Sequence, residues 1–357
     1  MQRIVISLDW KPVAVHRVLL CIALCLGSMA CTASEVQVQP PEGNRDSTIS
    51  FASVTPGKVS DFVDRTAGRK ITISGQLAFP EAHTSPVPAV VILHGSGGIS
   101  PREMVWARRL NEMGVASFVV DSFSGRNIKS TVADQTRLSM SAGIADAYAA
   151  LRLLAADPRI DGRKIAVMGF SRGGIAALYS ALEPFRHAAI DDDLRFAAHI
   201  AFYPGCTIPY TSAHLDGAPI LMLLGGKDNY TPAAPCSAYA STLRDRGAQI
   251  TVKIYPDGYH DFDRPMPLHA VPSATSTRAC RGSHDLDTRQ FIMLRGDKTV
   301  SGAEAIAETK SCLSRGVLLG GDALAQEQSP LDVAAFLGSV FGDGRAGLQT
   351  TGRGLQY

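Results

Sequence analysis

The sequence predicts an α/β fold, with a mainly parallel central sheet carrying helices on both faces. Continuous apolar runs recur at Ala89–His94, Val115–Asp121, Lys164–Met168 and Ile220–Leu224, as strands buried on both sides require. Helix-period stretches separate these runs, and that alternation is the pattern of parallel sheets. With 45% hydrophobic residues in 357, the chain has ample apolar surface for a single large core.

The first segment reads as something other than fold. Lys11, His16 and Arg17 precede the apolar run Val18–Leu26, and the small residues Gly27-Ser28-Met29-Ala30 follow. This is the layout of a secretory signal over residues 1–31, too short to span a bilayer comfortably. Ser28-Met29-Ala30-Cys31 resembles the bacterial lipoprotein signal, departing from it at Ser28, where Leu is usual. That route would put a lipid on Cys31 and provide the only expected link to a membrane. Ordinary cleavage after Ala30 or Ala33 suits the same small residues.

Residues 32–50 are polar with Pro and Gly, and read as a flexible linker. The folded domain is expected over 51–343. Ile71–Phe79 reads as an edge strand, followed by the strand at Ala89, a helix around Met104–Met113 and the strand Val115–Asp121. A long helix fits Ser139–Ala156, with Ile144, Tyr148, Leu151 and Leu154 near one face, and Asp157-Pro158 ends it. Strands at Lys164–Met168, Phe196–Phe202, Ile220–Leu224 and Ile250–Tyr255 follow, with helices through Leu182 and near Ser237–Arg246. From Pro265 to about Gln328 the rhythm breaks, which marks an insertion before a last helix at Leu331–Phe341. The Gly- and Arg-bearing end, 344–357, reads as a disordered tail.

Composition removes several function classes. The formal net charge is +2, with no dense Lys/Arg run interleaved with aromatics, so no nucleic-acid partner is expected. No CxxC spacing suggests zinc or a redox dithiol, and nothing specifies an oligomeric state. Of seven cysteines, Cys21 and Cys25 leave with the signal and Cys31 sits at its edge. Cys206, Cys236, Cys280 and Cys312 remain, an even set suited to an oxidising compartment. Three pairings are open; Cys206–Cys236 with Cys280–Cys312 is favoured because each closes a short loop.

Gly169-Phe170-Ser171-Arg172-Gly173 carries the strongest chemical signal. It follows an apolar strand and opens a helix, the setting in which a sharp turn exposes a serine hydroxyl and flanking glycines remove clashes. The competing reading is a glycine-rich turn with Ser171 as N-cap. A serine hydroxyl needs a base, and in chain order the acid and then the histidine should follow. His260 lies after the strand Ile250–Tyr255; His269 and His284 are rivals within the insertion. Asp228 lies after Ile220–Leu224, at the sheet edge where α/β sites gather. It competes with a helix-capping role, and Asp257, Asp261 and Asp263 crowd His260 in sequence. His94-Gly95-Ser96-Gly97-Gly98 reads as a loop donating one N–H to an oxyanion, from Ser96, with the Arg172 N–H as the second donor. A phosphate-binding loop is the alternative, but neither glycine pattern for one is met. Asp121–Arg126 reads as pocket lining or capping loop, and Trp106 as core.

Together, the stretches Val90–Gly98, Val119–Arg126, Pro158-Arg159-Ile160-Asp161, Arg163–Gly174, Leu223–Pro232 and Tyr259-His260-Asp261-Phe262 resemble the dienelactone hydrolase family of α/β-hydrolases. The resemblance implies hydrolysis of a small-molecule ester or lactone through an acyl-enzyme, without metal or cofactor. Members acting on dienelactone itself use Cys where this chain has Ser171, and the smallest members lack the insertion. A peptidase or acyltransferase using the same three residues is a second reading. A non-catalytic binding protein on the same fold is a third.

Overall fold

A computed structural model of the chain describes residues 46–81 and 86–342. All of these belong to one compact unit, Pro40–Tyr357. The expected signal (1–31), most of the expected linker and the expected tail (344–357) lie outside the described residues.

The apolar runs form the middle of an eight-stranded sheet. In chain order its strands are β1 (Asp46–Thr55), β2 (Arg69–Ala78), β3 (Val87–Leu93), β4 (Ala116–Asp121), β5 (Ile160–Phe170) and β6 (His199–Phe202). A short β7 (Tyr210–Thr211) lies elsewhere, and β8 (Ile220–Gly225) and β9 (Ile250–Tyr255) complete the sheet. The spatial order is β1-β2-β4-β3-β5-β6-β8-β9. From β4 through β9 every pair is parallel, whereas β1 and β2 are antiparallel additions at one edge. Ala89, Val90, Val91 and Ile92 are fully buried, as the unbroken apolar run requires.

Helices cover both faces. After α1 (Val59–Val63), α2 (Pro101–Glu112) packs on one face, opened by a capping box between Ser100 and Glu103. On the other face lie α3 (Met140–Ala155), α4 (Arg172–Tyr179) and α6 (Ala233–Asp245), with α5 (Glu183–Ala189) beside them. Trp106 of α2 is wholly buried against Phe170 and Phe202, a core position as expected.

Two boundaries differ from the sequence reading. Ile71–Phe79 was expected at the edge, but β2 is second from it, because β1 pairs outside it across Asp46–Thr55. The expected linker 32–50 therefore ends in a strand. Ile49, Phe51 and Ser53 of β1 are buried and alternate with exposed Thr48, Ser50 and Ala52, so the part of the strand within 32–50 is mostly polar. The second concerns the last helix, expected from Leu331. It is a 19-residue helix, Ala323–Phe341, with Pro330 inside it. Asp322 caps it by accepting from the Leu324 and Ala325 N–H groups, and Val333, Leu337 and Phe341 anchor it to the Trp106 core. Packing thus holds the helix across a residue that ordinarily breaks one.

The expected insertion at 265–328 accordingly closes at 322 and is itself structured. It holds β10 (His269–Ser276), β11 (Gly282–Asp285), β12 (Phe291–Arg295), β13 (Lys298–Ser301), α7 (Gly302–Cys312) and β14 (Ser314–Leu319); α8 is the helix after it. β10 and β14 form a ribbon, and β13-β12-β11 joins β7 in a four-stranded sheet. Disulfides join Cys206 to Cys236 and Cys280 to Cys312. The insertion's own apolar cluster buries Cys280, Met293, Val300 and Ala305, with Phe291 and Cys312 packed against it, too little to hold many residues unaided. Closing a loop of this length is worth about 3 to 4 kcal/mol on the chain-entropy model. Replacing Cys280 and Cys312 by Ser should therefore open the insertion before the main sheet. Limited proteolysis with mass mapping should find first cuts between 281 and 312, and an uncut insertion in the variant would contradict this.

Candidate active site at the carboxyl edge of the sheet

β5 runs straight into α4 through one residue, Ser171, whose φ of 53° and ψ of −111° are strained for any side chain. So tight a turn brings backbones together. A Cβ on Gly169 would overlap the Gly173 carbonyl, and one on Gly173 would overlap that of Leu93. The two glycines predicted to flank the turn are thus required by close approach. Ser171 Oγ lies 2.9 Å from His260 Nε2, and His260 Nδ1 lies 2.8 Å from Asp228 Oδ2. His260 follows β9 and Asp228 follows β8, so neighbouring parallel strands deliver both at one sheet edge. With its proton on Nδ1, facing the carboxylate, His260 presents a lone pair to the serine hydroxyl.

Asp228 does not cap α6, whose N-cap is Pro232 without a side-chain hydrogen bond; it closes the turn before that helix. Its Oδ1 accepts from the Tyr230 and Thr231 N–H groups at 2.7 and 2.9 Å, leaving Oδ2 for the imidazole. The Thr231 hydroxyl stands 2.9 Å from Asp228 Oδ2, 3.0 Å from the Tyr203 carbonyl and 3.1 Å from His260 Nδ1. Tyr203 and Tyr230 pack rings against the imidazole, with centroids 4.6 and 4.7 Å away. Burial disfavours imidazolium, but the Asp228 charge and hydrogen bond outweigh it and raise the His260 pKa above its ordinary value.

The other carboxylates near His260 are engaged elsewhere. Asp257 pairs with Lys227 at 2.7 Å, and Asp261 with Arg102 at 2.7 Å. Asp263 accepts from the Tyr203 hydroxyl at 2.6 Å and the Trp106 indole at 2.9 Å. Arg102 also bonds Glu103, touches the Tyr203 hydroxyl at 3.1 Å and lies 4.4 Å over the Phe170 ring. Burial favours the neutral form of Asp263 and raises its pKa, whereas Asp261, equally buried, is held low chiefly by Arg102. His269 and His284, the rival bases, lie on β10 and β11 of the insertion, and His284 packs against Tyr210 and Phe291.

The glycine-bearing loop after β3 lies directly against the serine. A Cβ on Gly95 would stand 3.6 Å from Ser171 Cβ. His94 Nδ1–H donates to the Gly95 carbonyl at 2.8 Å, and Nε2 accepts from the Ser122 N–H at 3.2 Å. Burial keeps this imidazole's pKa low, consistent with a neutral ring. It ties two strand ends together. Gly97 faces open space, whereas Gly98 adopts φ 86° as its N–H closes the turn onto Gly95. Among the described residues, neither the Ser96 nor the Arg172 N–H meets an acceptor. The Asp121–Arg126 segment is capping structure: Asp121 accepts from the Phe123 and Ser124 N–H groups, and Arg126 pairs with buried Asp146 at 2.7 Å.

Sequence reasoning missed Thr231, Tyr203, Gln135 and Arg102. Only Thr231 carried a local signal, as a hydroxyl residue three beyond Asp228 and just before Pro232, the N-cap of α6. An open cleft of about 890 Å³ lies at the opposite end of β8, lined by Glu183, His187, Asp216 and Arg246 among others. It includes none of Ser171, Asp228 and His260, which meet at the carboxyl edge instead.

A model of the dienelactone hydrolase family matches residues 73–282, more than half of the chain. A Yersinia pestis protein described as a candidate carboxymethylenebutenolidase is 26% identical over 196 residues, covering 52% of this chain and 73% of that one. Acylamino-acid-releasing enzyme 2 of Oryza sativa subsp. japonica is 44% identical over 49 residues, only 14% of this chain and 6% of its own length. Among solved structures, a dienelactone hydrolase-like promiscuous phosphotriesterase from metagenomic libraries aligns with a TM-score of 0.51 at 18% identity. That alignment covers 84% of this chain and all of the other, a likeness of fold. By its matched sequence and its sheet, the chain belongs to the dienelactone hydrolase family of α/β-hydrolases.

Proposed function

We propose that the protein is a serine hydrolase that cleaves a carboxylic ester or lactone through an acyl-enzyme on Ser171. The observation that carries this reading is the unbroken hydrogen-bond chain from Ser171 Oγ through His260 to Asp228, at 2.9 and 2.8 Å. His260 Nε2 takes the hydroxyl proton as Oγ attacks the carbonyl, and Asp228 holds the ring and stabilises its charge. The oxyanion of the tetrahedral intermediate accepts from the Ser96 and Arg172 N–H groups. On collapse the C–O bond to the alcohol breaks, and His260 returns its proton to that oxygen. His260 then removes a proton from water as it attacks the acyl carbonyl; the bond from that carbon to Ser171 Oγ breaks, and His260 returns the proton to Oγ.

The short match to an acylamino-acid-releasing enzyme supports amide cleavage as a second reading. A panel of esters, amides and alcohol acceptors separates it, and acyl transfer, from ester hydrolysis. The two disulfides suit an oxidising compartment. We assign residues 1–31 as the export signal and Cys31 as the site of any lipid.

Ser171→Ala should lower kcat by about 10⁴- to 10⁶-fold on an activated ester. It should also abolish labelling by a fluorophosphonate, read by intact mass. Near-parental turnover in this variant would sink the assignment. The raised His260 pKa sets the pH dependence. Neutral imidazole is the active form, so kcat/KM should rise with pH through an apparent pKa above 6.5, the ordinary histidine value. Asp228→Asn removes the largest influence raising that pKa, so the acid limb should move to lower pH while the plateau falls. An unmoved limb in Asp228→Asn would show that another group controls it.

A further inference from the structure

Ser96 and Arg172 lie on separate elements, the loop after β3 and the start of α4, with no hydrogen bond between them. One side chain joins them. The Ser96 hydroxyl stands 3.0 Å from Gln135 Nε2 and 3.1 Å from Gln135 Oε1. Arg172 Nη1 donates to Gln135 Oε1 at 3.0 Å and to the Gln135 carbonyl at 3.3 Å. The same amide donates to the Tyr230 hydroxyl at 3.2 Å, on the ring packed against His260.

The segment carrying Gln135 is fastened at both ends to these same residues. The Ser96 carbonyl accepts from the Thr131 N–H at 2.8 Å and from the Ser130 hydroxyl at 3.2 Å. Arg172 Nη2 donates to the Leu138 carbonyl, and to the Ser139 carbonyl at 3.1 Å. Residues 130–139 thus form a strap from one predicted oxyanion donor to the other, with Gln135 reaching inward from its middle. We propose that Gln135 is a positioning residue of the oxyanion site, its amide fixing the Ser96 and Arg172 N–H groups relative to Ser171. The proposal rests on the serine-hydrolase reading above.

The charge state of the strap supports this role. Every acceptor of the buried Arg172 guanidinium is neutral, and no carboxylate lies within ion-pair distance of it among the described residues. A glutamate at 135 would match the guanidinium better and keep the side chain's shape. It would also set a negative charge beside the place where the oxyanion develops, and lose the donor to Tyr230. A neutral amide meets both needs: it accepts from Arg172 and leaves the field at Ser171 favourable to an oxyanion.

The test compares kcat, KM and thermal midpoint for the parent, Gln135→Met and Gln135→Glu on one small activated ester, with fluorophosphonate labelling of each. Gln135→Met keeps the volume without the hydrogen bonds. Its kcat should fall about 10- to 100-fold with KM within about 3-fold, as small misplacements of reacting groups do. Gln135→Glu should lose at least as much kcat although its thermal midpoint is equal or higher, because Arg172 gains a partner. A purely structural residue would behave oppositely, with activity following stability. Parental kcat in Gln135→Glu, or losses in both variants that simply follow the midpoint, would overturn the proposal. A folded parent with neither ester turnover nor Ser171 labelling would overturn the hydrolase reading and the proposal with it.

Discussion

The site depends on a steric constraint: β5 must reverse into α4 within one residue while the serine side chain stays clear of the backbone. Left-handed φ values are costly for residues with a Cβ, about 1 to 3 kcal/mol each at such sites. Six non-glycine residues carry them among the described positions, and Ser171, Tyr203 and Asp261 are three. All three sit at the carboxyl edge of the sheet, and each is held by the backbone or by charge. The Ser171 N–H donates to the Phe202 carbonyl at 3.0 Å, and the Tyr203 N–H to the Leu223 carbonyl at 2.8 Å. Asp261 is gripped by Arg102 and Arg264 at 2.7 and 3.0 Å. The Tyr203 carbonyl then meets the Thr231 hydroxyl, which reaches Asp228. Strain at the serine turn, at the end of β6 and beside the histidine is therefore one connected arrangement.

Beneath it lies a charge cluster almost shut off from water. Arg102 is 8% exposed, Glu103 0%, Asp261 6% and Asp263 5%. Bringing these ions inside gains little net stability, but removing one partner leaves an uncompensated charge and typically costs about 3 to 5 kcal/mol. That asymmetry makes the cluster a geometric device. Arg102 comes from α2, Asp261 from the histidine loop, Tyr203 from the end of β6, and Phe170, under the guanidinium, from the residue before the serine. Moving any of these elements breaks a buried bond, so His260 cannot drift from Ser171 without disturbing the cluster.

Legibility in the sequence followed the range of the interactions. The central strands were plain because burial on both faces leaves an unbroken apolar run, and the serine turn was plain because close approach admits only glycine on either side. β1 was hidden, since one face of an edge strand is solvated and Ser and Thr occupy it. α8 was cut short because Pro330 is a strong local signal and the packing of Val333 and Leu337 that overrides it is not local. Gln135 and Arg102 gave no signal at all. Gln135 lies 39 residues from Ser96, and Arg102 lies 159 from Asp261. Nothing in their neighbourhoods marks them as different from surface polar residues.

The insertion is joined to the site by hydrogen bonds. It leaves the histidine loop after Arg264 and returns to that loop: the Gly320 N–H donates to the His260 carbonyl at 3.0 Å and the Asp322 N–H to the Phe262 carbonyl at 3.0 Å. On the way it reaches the aspartate loop, where the Leu318 N–H meets Asn229 Oδ1 at 2.8 Å and the Ser276 hydroxyl meets the Tyr230 carbonyl at 2.8 Å. It also reaches the strap, where the Thr275 N–H donates to the Val132 carbonyl at 3.0 Å. Ala274 and Val317 bury Tyr230 from above, while the imidazole lies against the same ring. One ribbon thus braces the loops bearing His260, Asp228 and Gln135. These loops extend beyond the sheet and have few ladder hydrogen bonds of their own, so their order must come from what lies over them. The detour supplies that cover, and the disulfide between Cys280 and Cys312 steadies the detour where its own apolar core is small.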